Sequence, residues 1–360
     1  MWSSHDISEL VAPRIPSACV DHAVKSSIGA LTARLPDLFS SYYIECRLPA
    51  GQEQVDFLAC VAPSRDDDAL RSIRAVADQP PDELTRDPAW QFTWDVIRRW
   101  STLAHGGPSR MPFLWLEFDH VNTRPAVRQS PSLCVCVDPG YLSTEPSSAA
   151  WDPQDSYESC LDLLAPALPR AFEGVLSASN RSVMKACFRG LPLSGRIIHV
   201  SFMLAREPAA IKLYGAVPRA QLVGYLKDLG WPGPLDSLEQ LVSTFSTQET
   251  ADDTVYFDLA LDHALLPYVA VAFSQLQLDH PARLDPERRA LLELLEEQGL
   301  CAPDKRRALQ AWLGSARESS PSVSTEARIH RWLDVKITLH AGQGLGAKGY
   351  LGFAPVLSVF

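Results

Sequence analysis

Between residues 196 and 218 the chain reads RIIHVSFMLAREPAAIKLYGAVP, two runs in which apolar positions alternate with polar or small ones around the turn-prone REPAA. A period of two predicts strands, because successive side chains leave an extended backbone on opposite sides. Ile198, Val200, Phe202, Ile211 and Leu213 then share one face, and His199, Ser201, Lys212 and Tyr214 the other. The pair predicts a hairpin with one oily face and one chemically equipped face.

The pattern recurs at 41–62, 112–139, 254–274 and 331–353. Between hairpins the period lengthens towards 3.6, predicting amphipathic helices over 67–79, 88–104, 157–176, 219–230 and 286–299. Asp285 and Pro286 supply a helix start for the last of these and Gly299 its stop. The repeats predict one domain over residues 1–360, built as five helix-and-hairpin units.

Ten antiparallel strands can lie open with one solvated face, or close into a barrel without edges. Beside His199, Lys212 and Tyr214, the polar face gathers Tyr43, Glu45, Arg47, Trp115, Glu117, Asp119, Tyr256, Asp258, Asp262, Tyr268, Asp334, Lys336, Lys348 and Tyr350. Rings are costly on an exposed sheet and useful in a pocket, so closure is favoured. The expected fold is α+β: a ten-stranded antiparallel β-barrel with a wet lumen, surrounded by an outer ring of α-helices.

Composition narrows the function classes. Thirty-three Lys and Arg against forty-three Asp and Glu leave a net charge of −10, the wrong sign for neutralising nucleic-acid phosphates. The N-terminus has no basic region followed by an apolar run, and the longest apolar stretch, near LLPYVAVAF, is too short to span a bilayer, which favours the cytosol and no membrane partner. The eight cysteines sit in apolar contexts and read as reduced structural thiols. Cys134 and Cys136 would share a strand face, but no second pair stands at metal-ligand spacing, so no metal site is expected there.

Some motifs are decoys. AGQGLGAKGY (341–350) lacks the Lys-Ser/Thr ending of a phosphate loop and precedes a strand, so it reads as a hairpin turn. The neighbours Asp119–His120 and Asp262–His263 resemble dyads, yet adjacent strand residues face opposite ways. LDHPARLDPERR (278–289) reads as a loop leading to a helix cap. Residues 139–156 and 315–327 are rich in Ser and Pro and read as loops, either plain connections or covers for a barrel mouth.

The five repeats, with Lys-x-Tyr in IKLYG (Lys212, Tyr214) and AKGYLGF (Lys348, Tyr350), resemble the aromatic prenyltransferase barrel, or ABBA, family of dimethylallyltryptophan synthases and related bacterial and peptide prenyltransferases. The resemblance implies a donor site for a prenyl diphosphate at Lys212, Tyr214, Lys336, Lys348, Tyr350 and Arg47. It implies prenyl and acceptor contacts at Trp115, Tyr43, Tyr256 and Tyr268, with Glu117 and His199 as acid or base. The chemistry suits the residue types, since ammonium groups and phenols meet phosphate oxygens while rings shield an allylic cation. The second strands of the first, second and fourth hairpins lack the family's basic pattern, so the basic ring is incomplete.

The expected activity is transfer of an allylic group from a prenyl diphosphate to an aromatic small molecule or peptide side chain, in natural product biosynthesis. No cofactor is required beyond that co-substrate, and Asp119 or Asp258 could hold magnesium. The expected oligomeric state is a monomer or weak dimer. The alternatives are a non-prenylating barrel that binds a ligand or peptide in a biosynthetic pathway, or another transferase or lyase using the carboxylates and His199.

Overall fold

A computed structural model describes residues 3–62, 67–102, 111–123, 129–141, 151–245, 254–273, 286–320 and 323–356. The strands are β1 (Ser41–Arg47), β2 (Val55–Val61), β3 (Leu114–Phe118), β4 (Ser132–Cys136), β5 (Arg196–Met203), β6 (Ala210–Pro218), β7 (Thr254–Asp262), β8 (Ala264–Phe273), β9 (Gly314–Ser320), β10 (Val323–His340) and β11 (Gly344–Pro355). All pair antiparallel in the order β11-β1-β2-β3-β4-β5-β6-β7-β8-β10-β9, and β10 also pairs with β11. That last pairing closes β1–β8, β10 and β11 into a ten-stranded barrel.

The oily faces point outward and meet the helices. Tyr42 stacks on Phe57 and Phe353 at 5.9 and 5.3 Å, continuing the outer surface across three strands. Against this wall pack helices α1 (Ser4–Val11), α2 (His22–Thr32), α3 (Asp67–Asp78), α4 (Pro88–Thr102), α5 (Pro153–Leu164), α6 (Ala178–Arg189), α7 (Leu222–Asp228), α8 (Leu235–Phe245), α9 (Pro286–Glu297) and α10 (Pro303–Trp312). The core is therefore a shell between barrel and helices, with Trp90, Trp94 and Trp100 of α4 fully buried in it. All eight cysteines are buried and unpaired as disulfides.

The structure corrects several expectations. Residues 157–176 are not one helix: α5 ends at Leu164 and two 3-10 turns follow, because Pro166 and Pro169 cannot donate to the preceding turn. The stretch 315–327 is not a loop. Its described residues form β9 and the start of β10, held at Glu318 by Arg331 (2.6 Å) and Arg14 (3.0 Å) rather than by apolar side chains. Ile198 is not on the outer face, because a bulge at that residue turns it to the lumen beside Tyr214 and Cys136.

The dyad argument also fails in detail. His120 and His263 both adopt left-handed backbone (φ 57° and 59°) at turns, and His263 Nε2 reaches Asp262 Oδ1 at 3.4 Å. Asp262, at the last residue of β7, lies against this exposed histidine and away from the lumen cavity. The turn at 341–343 and the stop at Gly299 (φ 69°) are as expected. Residue 285, most of 278–289 and residues 142–150 lie outside the described residues.

Candidate functional site

The lumen holds a cavity of about 670 Å³. Its walls follow one rule along the strands. On β1 the inward residues run Tyr43, Glu45, Arg47, and on β3 Trp115 and Glu117 lead to Asp119 just beyond the strand. On β7 they run Tyr256, Asp258, and on β10 His330, Trp332, Asp334, Lys336. The oppositely directed β6 and β11 run Lys212, Tyr214 and Lys348, Tyr350. On these strands the residues named place rings towards one end of the barrel and charges towards the other, whereas Tyr268 of β8 lies at the charged end. Ser40, Ser41, Ala62, Ser315, Arg328 and Ala354 rim the ring end, where the cavity opens.

At the ring end, aromatic faces are packed into a wall. His199 stacks on Tyr214 at 5.2 Å, Tyr214 on Tyr256 at 5.9 Å, and Phe113 and Tyr141 meet His199 edge-on at 5.5 Å. Tyr43 lies 5.2 Å from Trp115 and donates its hydroxyl to Asp334 Oδ2 at 2.5 Å, while receiving the Trp332 Nε1 hydrogen at 2.6 Å. Gly352 makes room for that indole: a Cβ there would stand 2.2 Å from it. Neither ring nitrogen of His199 has a partner among the described residues, and Nε2 is occluded. Burial first, and the nearby Lys336 charge second, push its pKa down to about 3, so it is a neutral imidazole.

The charged end is a chain of ion pairs. Glu45 bonds Lys348 (2.8 Å) and Arg47, and Arg47 reaches Asp56 at 3.2 Å. Glu117 and Asp119 share Arg206, at 2.6 Å each, with Arg206 Nε adding 2.9 Å to Asp119. Lys336 bonds Asp258 at 2.8 Å and lies over the faces of Tyr214 and Tyr350 at 4.8 and 5.1 Å. Burial opposes the charge on Glu45, but Lys348, Arg47 and Lys212 outweigh it and hold the carboxyl well below its usual range. Asp56 is the reverse case, with burial and Glu45 pushing it up to about 7 against Arg47.

Lys212 differs from the other cations: it has no ion pair or hydrogen bond among the described residues. Burial works against its charge, yet Glu117, Asp258 and Tyr268 overcome that and hold the ammonium above its ordinary range. It faces the cavity, as do Tyr43, Glu45, Trp115, Glu117, His199, Tyr214, Asp258, Asp334, Lys336 and Tyr350. Of the other sequence-derived site residues, Arg47 and Lys348 sit deeper, in the ion-pair chain. Tyr256 backs Tyr214, and Tyr268 lies beside His340 at 6.4 Å between rings.

The comparisons with known proteins come from structure alone. No family model and no curated protein matches the sequence. The solved structure of the prenyltransferase PriB in its apo form superposes with a TM-score of 0.55 at 15% identity, covering 98% of this chain and 96% of that one. The chain has the prenyltransferase-barrel fold. AnaPT from Neosartorya fischeri gives a TM-score of 0.50 at 14% identity, over 89% of this chain and 78% of that one. At such identities the prenyltransferase barrel is shared as architecture, and the lumen chemistry must be read from this chain's own residues.

Sequence reasoning missed Arg206, Asp56, Phe113, Tyr141 and Trp332. Trp332 and Asp56 obey the same alternation as Asp334 and Leu58, so the period-two rule reaches them. Arg206 sits in the turn between β5 and β6 and has no periodic signal. Of the two carboxylates named for magnesium, Asp119 is bonded through both oxygens to Arg206, and Asp258 through Oδ2 to Lys336. Among the described residues no helix is long and apolar enough to cross a membrane.

Proposed function

We propose that the barrel is a prenyltransferase whose donor lies along the lumen, its diphosphate towards the charged end and its allylic chain among the rings. The observation that carries this reading is the polarity of the lumen, with rings gathered at one end and charges at the other, which matches an ionic head and an oily tail. Lys212 and Lys336 would meet the diphosphate, with Tyr214 and Tyr350 donating from their hydroxyls. Arg47 and Lys348 would act behind them through Glu45.

Heterolysis of the donor C–O bond sends the electron pair to the diphosphate and leaves an allylic cation. The faces of Tyr214 and Tyr350 already hold the Lys336 ammonium, and the same kind of surface, with Trp115, Tyr43 and Tyr256, would shield the carbocation. An electron-rich acceptor, an aromatic small molecule or a peptide side chain, attacks the cation and gives its proton to Glu117. His199, neutral in the ring wall, would contact the acceptor. The barrel wall excludes the water that would otherwise quench the cation.

A second reading is a barrel that binds a ligand without transfer. It is supported by the ion pairs themselves, since Arg47, Arg206, Lys336 and Lys348 all have carboxylate partners. Calorimetric titration with dimethylallyl and geranyl thiodiphosphates, with and without magnesium, separates the two. Binding that is lost in Lys212→Ala, followed by mass gain of an acceptor incubated with the diphosphate donor, is the expected result. Absence of binding to the intact protein would sink the transferase reading in favour of the second.

A further inference from the structure

Arg206 is out of place for a lumen residue. It belongs to the turn joining β5 and β6, yet its guanidinium lies inside the charged end, bonded to Glu117 and Asp119 and close enough to Glu45 and Lys212 for their charges to act on it. Its side chain is 36% exposed, whereas those of Glu117 and Asp119 are 9% and 2% exposed. The carboxylates are fixed on the wall, and the arginine reaches them on a long side chain from a connection. A partly exposed cation on buried anions is a partner that can be exchanged.

We propose that Arg206 is a donor-binding residue held in reserve by Glu117 and Asp119, and that an incoming diphosphate takes it from them. This rests on the donor reading above. Arg206 then supplies the positive charge that β2, β4 and β8 do not carry on their inward faces, and it does so without a strand position. Guanidinium pairs with phosphate through parallel N–H donors, which gives the exchange a matching acceptor geometry. The exchange also sets an order. While Arg206 bonds Glu117 the carboxylate is neutralised; once the donor is seated, Glu117 is released to receive the acceptor's proton.

The exchange leaves a proton count. Burial works against the charge on Asp119, and Arg206 keeps its carboxyl below the usual range, helped by Lys212 and opposed by Glu45. Its other charged neighbours on the packed strands are Glu117 of β3 and Asp56 of β2. When the guanidinium turns to phosphate, burial and the surrounding carboxylates dominate, and a carboxylate in that state takes up a proton. Donor binding at neutral pH therefore consumes a proton.

The test is calorimetry of the full chain with dimethylallyl thiodiphosphate in two buffers of different protonation enthalpy. The intact protein is expected to take up about one proton per donor mimic bound. Arg206→Gln is expected to weaken binding about 10- to 100-fold and to abolish the uptake, by the loss of charge-assisted bonds. Because that variant strands two buried carboxylates, Asp119→Asn is the second arm: it weakens Arg206's resting partner and is expected to bind the mimic more tightly, with less proton uptake. Equal affinity in Arg206→Gln, or unchanged uptake in both variants, overturns the role of Arg206 while leaving the donor reading standing. No binding by the intact protein overturns both.

Discussion

The two ends of the lumen are made from the same strands and solve burial in different ways. At the ring end, Tyr43 bridges Trp332 and Asp334, while the buried His199 Nε2 is left without a partner and is carried as a neutral imidazole. At the charged end, most cations are balanced by carboxylates inside the wall. Buried charges taken singly are costly, whereas a closed network returns much of that cost through its bonds. The ring end is consequently tolerant of change and shapes a ligand; the charged end is intolerant and holds the barrel together, with Lys212 and Lys336 as its lysines turned to the cavity.

The largest expected effect breaks the charged end. Glu45→Ala removes the acceptor shared by Arg47 and Lys348 and leaves both buried, so urea unfolding is expected to show a loss of about 3–5 kcal/mol. A loss below about 1 kcal/mol would mean that the network carries little of the stability. Next comes a test of acid sensitivity at the ring end. The His199 pKa is depressed from 6.5 to about 3 in the fold, so between these values the unfolded chain binds more protons and stability falls as pH falls. His199→Phe is expected to flatten that decline, by about 1–2 kcal/mol at pH 5, in thermal melts taken from pH 7 to pH 4.

Lys212→Met sharpens the contrast, since among the described residues this cation has no bonded partner and feels Glu117 and Asp258 only through their charges. Stability is expected to fall by about 1–2 kcal/mol, less than for Glu45→Ala, while affinity for the donor mimic falls about tenfold. A large stability loss with unchanged affinity would return Lys212 to the structural network. The smallest effect belongs to the ring end: Trp332→Phe keeps a ring and loses the bond to the Tyr43 hydroxyl, with an expected cost of about 1 kcal/mol in the same denaturant measurement.

The sequence disclosed the barrel because its hairpins bury one face against helices, and burial writes a period of two. Lys212, Tyr214, Glu117 and Trp115 were legible for that reason: alternation assigns them inward once the oily face is known. The same rule cannot find Arg206, whose place in the lumen is set by the path of a turn. Nor does it find β9, which is fastened by Glu318 to Arg331 and Arg14 instead of by an apolar stripe. Ile198 was misplaced because a bulge shifts the phase of the alternation by one residue, a change without a composition signal. Which lumen cations are already paired is also invisible in one dimension, because Glu45 and Lys348 are distant in sequence and adjacent only after closure.

Closure has a consequence for how the chain is made. β1 pairs with β11 from Tyr42↔Phe353 to Arg47↔Lys348, so the first strand of the barrel to leave the ribosome finds its second neighbour only after all the other barrel strands have been made. Until then β1 is a bare edge, with a Tyr-Ile-Cys stripe open to other nascent chains. Long-range pairings of this kind slow folding and lengthen exposure to aggregation. Glu45 spends that interval without Lys348, and the charged end of the lumen is completed at the same step that seals the wall.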